Sequence, residues 1–296
     1  MHKTLKVNIY GIFWFILSLL LDNINDVIMK YVGNNISSYE IIFFRYLFSV
    51  IVLLPFILRK KYSSSTIMRI HFIRGFLLFV GIILWCVGLK VVKLTVVTSI
   101  NFIMPIFILI LARIFLKESF NRIKLIATML GFIGTIIVIN PNSTDFNLTS
   151  LVFLISAILF ALLDIINKRF AVQESMISML FYSSLFVLIL SIIPVFYNWI
   201  TPTFNDLFYL FLLGITSNLI LYCLLKSFKL IEVSSVAPYR YIELIFSAVL
   251  GYIIFDEIPD LTTIIGSAII IMATVILVYE TIIVKKFSKI EKVKLI

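Results

Sequence analysis

About ten apolar stretches of roughly twenty residues, separated by short connections, leave this chain one solvent in which to fold. A helix needs about 20 apolar residues to cross the hydrocarbon core of a bilayer. Inside lipid only helices and closed barrels satisfy their own backbone groups. The chain is 62% hydrophobic and 14% charged, whereas soluble domains are about 45–50% apolar and about 25% charged. Turn signals and charges delimit helices over 8–29, 39–58, 70–89, 95–116, 123–139, 148–167, 176–197, 206–227, 234–255 and 261–284. The expected fold is an all-α membrane protein with ten transmembrane helices, and its connections leave no room for a soluble domain.

Two of these stretches repeat each other. Residues 88–118 (GLKVVKLTVVTSINFIMPIFILILARIFLKE) align without a gap on 227–257 (SFKLIEVSSVAPYRYIELIFSAVLGYIIFDE), at an offset of 139 residues. Lys90 falls on Lys229, Thr95 on Ser234, Phe102 on Tyr241 and Glu118 on Glu257. A shorter echo sets Asn25-Asp26-Val27-Ile28-Met29-Lys30 against Leu163-Asp164-Ile165-Ile166-Asn167-Lys168. Repetition at half the chain length predicts two units, residues 1–147 and 148–296. Five helices per unit is an odd number, so the second unit must enter the membrane from the opposite side, giving a 5+5 inverted-topology repeat. Inverted repeats offer two nearly equivalent packings, one open to each side, with the binding site where the halves meet.

The net charge of +10 sets orientation rather than a nucleic-acid partner. With the N-terminus in the cytoplasm, 19 of the 25 Lys and Arg fall on the inner side, which also places the C-terminus there. The first helix has no small-residue cleavage pattern and carries Asp22 and Asp26, so it reads as a retained span rather than a signal peptide. Cys86 and Cys223 lie in different apolar helices and belong to no CxxC pair, which reads as packing.

Ionisable groups near mid-bilayer cost about 2.5–3.5 kcal/mol on insertion scales and need a partner or a wet cavity. Helix 1 carries Asp22, Asn25 and Asp26, three and four residues apart on one face. Helix 2 carries Arg45, helix 6 Asp164, and helix 9 Arg240 with Glu243. Asp26 and Asp164 each precede a lysine by four residues, Lys30 and Lys168. A salt bridge that anchors a helix end is therefore as good a reading for either aspartate as a ligand contact. Asp22 has no basic residue four positions away and reads as cavity-lining. In helix 9, Pro238 stands two residues before Arg240, and proline frees a backbone carbonyl and bends the helix. Helix 4 has Pro105 beside Asn101 in the matching element. Arg240 reads either as an internal partner of Glu243 or as a bidentate clamp for a substrate carboxylate. Tyr239, Tyr241, Trp85 and Tyr182 are candidates to hold a cation on a ring face, with packing the competing reading for each.

No Walker loop, GxSxG, HExxH or metal-spaced His/Cys group occurs, so no cofactor is expected and a lipid-modifying enzyme is disfavoured. His2 and His71 read as facing headgroups at the cytoplasmic edge. Gly131 and Gly134, with Thr128 and Thr135, form a small-residue face on helix 5, suited to packing on helix 10 or on a second chain.

Arg74-Gly75 opening helix 3, and the acidic ends Phe115-Leu116-Lys117-Glu118 and Phe255-Asp256-Glu257, make the chain resemble the EamA-type drug/metabolite transporters. A closer resemblance rests on five runs of residues. They are Asn25 to Tyr31, Glu40-Ile41-Ile42-Phe43-Phe44-Arg45, Leu163 to Phe170 with Glu174 to Ser183, and Ala237-Pro238-Tyr239-Arg240-Tyr241-Ile242-Glu243-Leu244. Those runs are similar to the branch that takes up S-adenosylmethionine in obligate intracellular bacteria. The resemblance implies import of that small molecule across the inner membrane by alternating access, and exchange for S-adenosylhomocysteine is a natural extension of it. Export of amino acids or other small metabolites is the alternative within the same superfamily. Residue chemistry fits the first cargo. Asp22, Asp26, Asp164 and Glu243 outnumber Arg45 and Arg240 by a formal two negatives, which suits a cation that carries one carboxylate. Arg240 or Arg45 would take the carboxylate, Asp26 or Asp164 the ammonium, and the aromatic residues the sulfonium and adenine.

Overall fold

The computed structural model describes residues 2–59, 67–90, 104–118, 122–139, 151–256, 258 and 261–279. Thr95, Asn101, Phe102 and Glu257 lie outside the described residues, as do the side chains of His2 and Thr135. In chain order the helices are α1 (His2–Val32), α2 (Ser38–Ile57), α3 (Met68–Leu89), α4 (Met104–Leu116), α5 (Arg122–Ile139), α6 (Leu151–Ala171), α7 (Met176–Val195), α8 (Phe204–Leu230), α9 (Val233–Phe255) and α10 (Leu261–Tyr279). Among the described residues six of these, α1, α2, α3, α7, α8 and α9, are long and apolar enough to cross a membrane. Their outer faces carry large apolar side chains open to the surroundings, such as Ile51, Ile193, Phe204 and Ile253, as a lipid-facing surface requires.

Local chemistry fixes the helix ends. Ser37 caps α2 through a reciprocal box with Glu40: Ser37 N–H donates to Glu40 Oε2 at 2.8 Å, and Glu40 N–H donates to Ser37 Oγ at 3.3 Å. The other oxygen of Glu40 accepts from the Ile200 N–H at 2.7 Å, which ties this cap to the connection before α8. Thr203 and Asp206 repeat the box at the start of α8, and Asp206 also accepts from Asn35 at 3.1 Å. α4 and α9 end alike, with Lys117 (φ 55°) and Asp256 (φ 53°) in the left-handed region that stops a helix.

α9 is broken where Pro238 requires it. Val233–Val236 is α-helical, Ala237–Ile242 tightens into 3₁₀ turns, and Glu243–Phe255 resumes the α-helix. Arg240 stands in the irregular stretch, which is buried in protein, as membrane-embedded irregular backbone must be.

The packing joins the two halves of the chain. α1 lies along α8, α3 along α6, α2 on α7, and α5 on α10. Shifting each label by five maps this set of pairs onto itself. The small-residue face of α5 packs on α10: a Cβ on Gly134 would lie 2.8 Å from the Gly266 carbonyl oxygen, and one on Gly131 would overlap the Tyr241 ring. Gly134→Val is therefore expected to lower stability by about 1–3 kcal/mol through overpacking, read as a lower melting temperature in detergent. An unchanged melting temperature would argue against this close approach.

Candidate substrate site

A cavity of about 130 Å³ lies between the halves, and the charged residues of α1, α2, α3, α6 and α9 converge on it. Asp22, Asp26, Arg45, Trp85, Asp164 and Arg240 all line it, six of the residues singled out from sequence. Spacing on α1 explains the first two, since residues four apart share a helix face.

The two cavity arginines differ in their partners. Arg240 is engaged by protein: its Nη2 donates to Asp164 Oδ2 at 2.6 Å and its Nη1 lies 3.5 Å from Glu243 Oε1. All three side chains are at least nine-tenths buried. The i,i+3 relation of Arg240 and Glu243 places both on one side of the turn, and α6 supplies Asp164 across the interface. The internal pair of Arg240 with Glu243 is thus present, with Asp164 as a second and nearer partner. Arg45 is different. Its Nε donates to Ser217 Oγ at 2.5 Å, its Nη1 lies 3.1 Å from the weak acceptor Met29 Sδ, and it forms no ion pair with a carboxylate among the described residues. A guanidinium in a cavity wall with no carboxylate in contact among the described residues is poised to receive an anion.

The carboxylates divide similarly. Asp26 accepts from Trp85 Nε1 at 2.7 Å, which fixes both side chains. Asp22 is part-buried, lies within electrostatic reach of Arg45 and Arg240, and makes no hydrogen bond among the described residues. The helix-anchoring salt bridges suggested by Lys30 and Lys168 take another form. Lys168 Nζ donates to the carbonyls of Phe228 at 2.5 Å and Ile231 at 2.8 Å, while Lys30 Nζ lies 4.8 Å from the centre of the Phe255 ring. A backbone carbonyl at a helix end is an available acceptor, so Lys168 does not require the aspartate one turn away.

Asn25 supports the wall from behind. Thr216 Oγ1 donates to Asn25 Oδ1, and Asn25 Nδ2 lies 3.5 Å from Ser217 Oγ, the hydroxyl that receives Arg45. Ser49 Oγ on α2 lies 2.7 Å from both Ser184 Oγ on α7 and Asn218 Oδ1 on α8, and the last two residues line the cavity. Sequence reading overlooked these small polar residues, along with Ser183 and Phe160 in the same wall. The available signal was their clustering, Ser183-Ser184 and Thr216-Ser217-Asn218 inside apolar helices.

Three tyrosines named from sequence stand away from the cavity. Tyr239 is 1% exposed within an apolar cluster with Phe15, Leu19 and Met104. Tyr241 packs with Leu244 and Ile270, and its hydroxyl donates to the Thr128 carbonyl at 3.0 Å. Tyr182 stacks at 5.0 Å on His71. Neighbours at i±1 on a helix do not share a face, so residues beside Arg240 in sequence turn into the core. The aromatic wall is instead Trp85, Phe160 and Tyr46. His71 is also corrected. It is fully buried, with Nδ1 3.0 Å from Arg74 Nη1, because α7 covers this turn of α3 and keeps it from the headgroups.

Two comparisons with curated proteins agree. The chain is 45% identical to the S-adenosylmethionine uptake transporter of Rickettsia bellii, with 95% of this chain and 97% of that protein covered. It is 44% identical to the protein of the same description from Rickettsia felis, covering 95% and 96%. One solved crystal structure superposes with a TM-score of 0.71 at 14% identity over 93% of this chain and 96% of that one, a likeness of fold. The model of the EamA-like transporter family matches residues 9–140 and again residues 147–279. With nearly the whole chain matched, and with a polar cavity enclosed by apolar helices, this protein belongs to the EamA-like transporter family and is a membrane transporter, not an enzyme.

Proposed function

We propose that the chain imports S-adenosylmethionine across a bacterial inner membrane by alternating access, with both termini in the cytoplasm. It does so through ten membrane helices arranged as a 5+5 inverted repeat, units 1–147 and 148–296. The self-mapping set of helix pairs supports that arrangement, and the Rickettsia relatives support the cargo.

The observation that carries the reading is the charge set of the cavity. Asp22, Asp26 and Asp164, with Glu243 on Arg240, face Arg45, Arg74 and Arg240, a formal excess of one negative. S-adenosylmethionine, with a sulfonium, an ammonium and a carboxylate, carries about one net positive charge and would balance that excess. Arg45 takes the carboxylate, because its charge has no protein carboxylate in contact among the described residues. Asp22 takes the ammonium or sulfonium for the matching reason. Trp85 and Phe160, whose ring centres lie 6.2 Å apart, offer faces to the adenine. Asp164 and Arg240 hold α6 against the broken segment of α9 at one edge of the site.

Exchange for S-adenosylhomocysteine, which lacks the sulfonium, moves one positive charge inward per cycle. A potential of 100 mV, negative inside, supplies about 2.3 kcal/mol for it, or ~50-fold in accumulation. The test is uptake of labelled S-adenosylmethionine into proteoliposomes with and without an imposed potential. The expected result is uptake that rises with the potential, is inhibited by unlabelled S-adenosylhomocysteine and is indifferent to methionine. Absent uptake would remove the cargo assignment, and uptake blind to voltage would remove charge-moving exchange.

A further inference from the structure

Arg74 stands in the cavity wall with no carboxylate hydrogen-bonded to it among the described residues. Its side chain is fully buried, and its hydrogen-bond partners there are an amide, an imidazole and a main-chain carbonyl. Nε donates to Asn167 Oδ1 at 2.7 Å, and Nη1 lies 3.0 Å from His71 Nδ1 and 3.3 Å from the Met179 carbonyl. Arg74 Nη2 and Asn167 Nδ2 have no acceptor among the described residues, and both residues line the cavity. The Glu174 carboxylate, on the connection between α6 and α7, lies within electrostatic reach of Arg74.

The two unused donors lie beside a single hydrogen bond. Nη2 shares an edge of the guanidinium with Nε, and Nδ2 shares its carbon with Oδ1. Turning the amide over would set Nδ2 against the Nε–H, donor against donor, so the amide orientation is fixed. A water could satisfy the donors but would bring no negative charge into contact with the buried guanidinium. An anionic acceptor does both. The cation S-adenosylmethionine carries one anionic group, its carboxylate.

Depth separates this pair from Arg45. Counted from the end of the bundle where the chain leaves α2 and enters α3, Arg45 is twelve residues up α2 and Arg74 six residues up α3. At about 1.5 Å per residue these are heights of ~18 Å and ~9 Å.

We propose that Arg74 Nη2 and Asn167 Nδ2 form a second subsite for the carboxylate of the cargo, which the ligand occupies after leaving Arg45 on its way through the protein. This rests on the transport reading above. The two arginines act in turn on one group, so the carboxylate remains paired with a guanidinium at both heights of the cavity.

The experiment compares S-adenosylmethionine with its decarboxylated analogue, which keeps the sulfonium, amine and adenine. Uptake of both is measured in proteoliposomes for wild type, Asn167→Asp and Arg74→Lys. Asn167→Asp preserves the acceptor for Arg74 Nε while placing a fixed carboxylate where the cargo's would go. The ratio of kcat/KM for S-adenosylmethionine over the analogue is expected to fall by ~10-fold or more in Asn167→Asp, the size of one charge-assisted hydrogen bond. It should fall in the same direction in Arg74→Lys, which keeps the charge and loses the fork. An unchanged ratio in both variants, whatever happens to the absolute rates, would overturn the subsite and leave a structural or water-holding role. Wild type that takes up neither compound would instead overturn the transport reading beneath it.

Discussion

Arg240→Ala is expected to cost the folded protein about 3–5 kcal/mol, because it strands two buried carboxylates at once. Asp164 loses its 2.6 Å partner and Glu243 its 3.5 Å partner, and both side chains are at least nine-tenths buried. The measurement is recovery of monodisperse protein from membranes together with its melting temperature in detergent. Adding Asp164→Asn should return part of the loss, since one of the stranded charges is then gone. A variant that melted like wild type but had lost uptake would instead move Arg240 onto the cargo.

Arg45→Ala should separate transport from stability in the other direction. Arg45 donates to one hydroxyl and one thioether, contacts whose removal costs about 1 kcal/mol. Truncating one side of a desolvated charge pair with the cargo costs about 2–5 kcal/mol in binding, so uptake should fall by ~30-fold or more. Melting temperature and uptake measured on the same preparation check this. Full uptake by a folded Arg45→Ala protein would place the carboxylate contact elsewhere.

The contrast between these two arginines was only half visible in the sequence. Both stand out because charge in an apolar run is rare, and the same rarity exposed Asp22, Asp26 and Asp164. All five line the cavity. Which arginine the protein neutralises depends on a contact between Asp164 and Arg240, 76 residues apart, and spacing cannot encode that. Arg74 was visible as a residue but not as part of the site. It stands one and a half turns from the start of its helix, where a cation is normally expected to reach the interface. α7 closes that route by laying the Met179 carbonyl and Tyr182 over it. Tyr239 and Tyr241 misled for a local reason: closeness to Arg240 along the chain is not closeness on a helix face. The break in α9 at Pro238 and the tight α5–α10 face at Gly134 were legible because each follows from a single residue's stereochemistry.

Lys117 and Asp256 carry one further consequence. They occupy equivalent places in the duplicated segments and share a backbone state that side chains other than glycine adopt at a cost of roughly 1–2 kcal/mol. In the orientation proposed above, the lysine faces the cytoplasm and the aspartate the opposite compartment. On that orientation the two stops share one backbone shape, and each carries the sign of charge that its own leaflet tolerates.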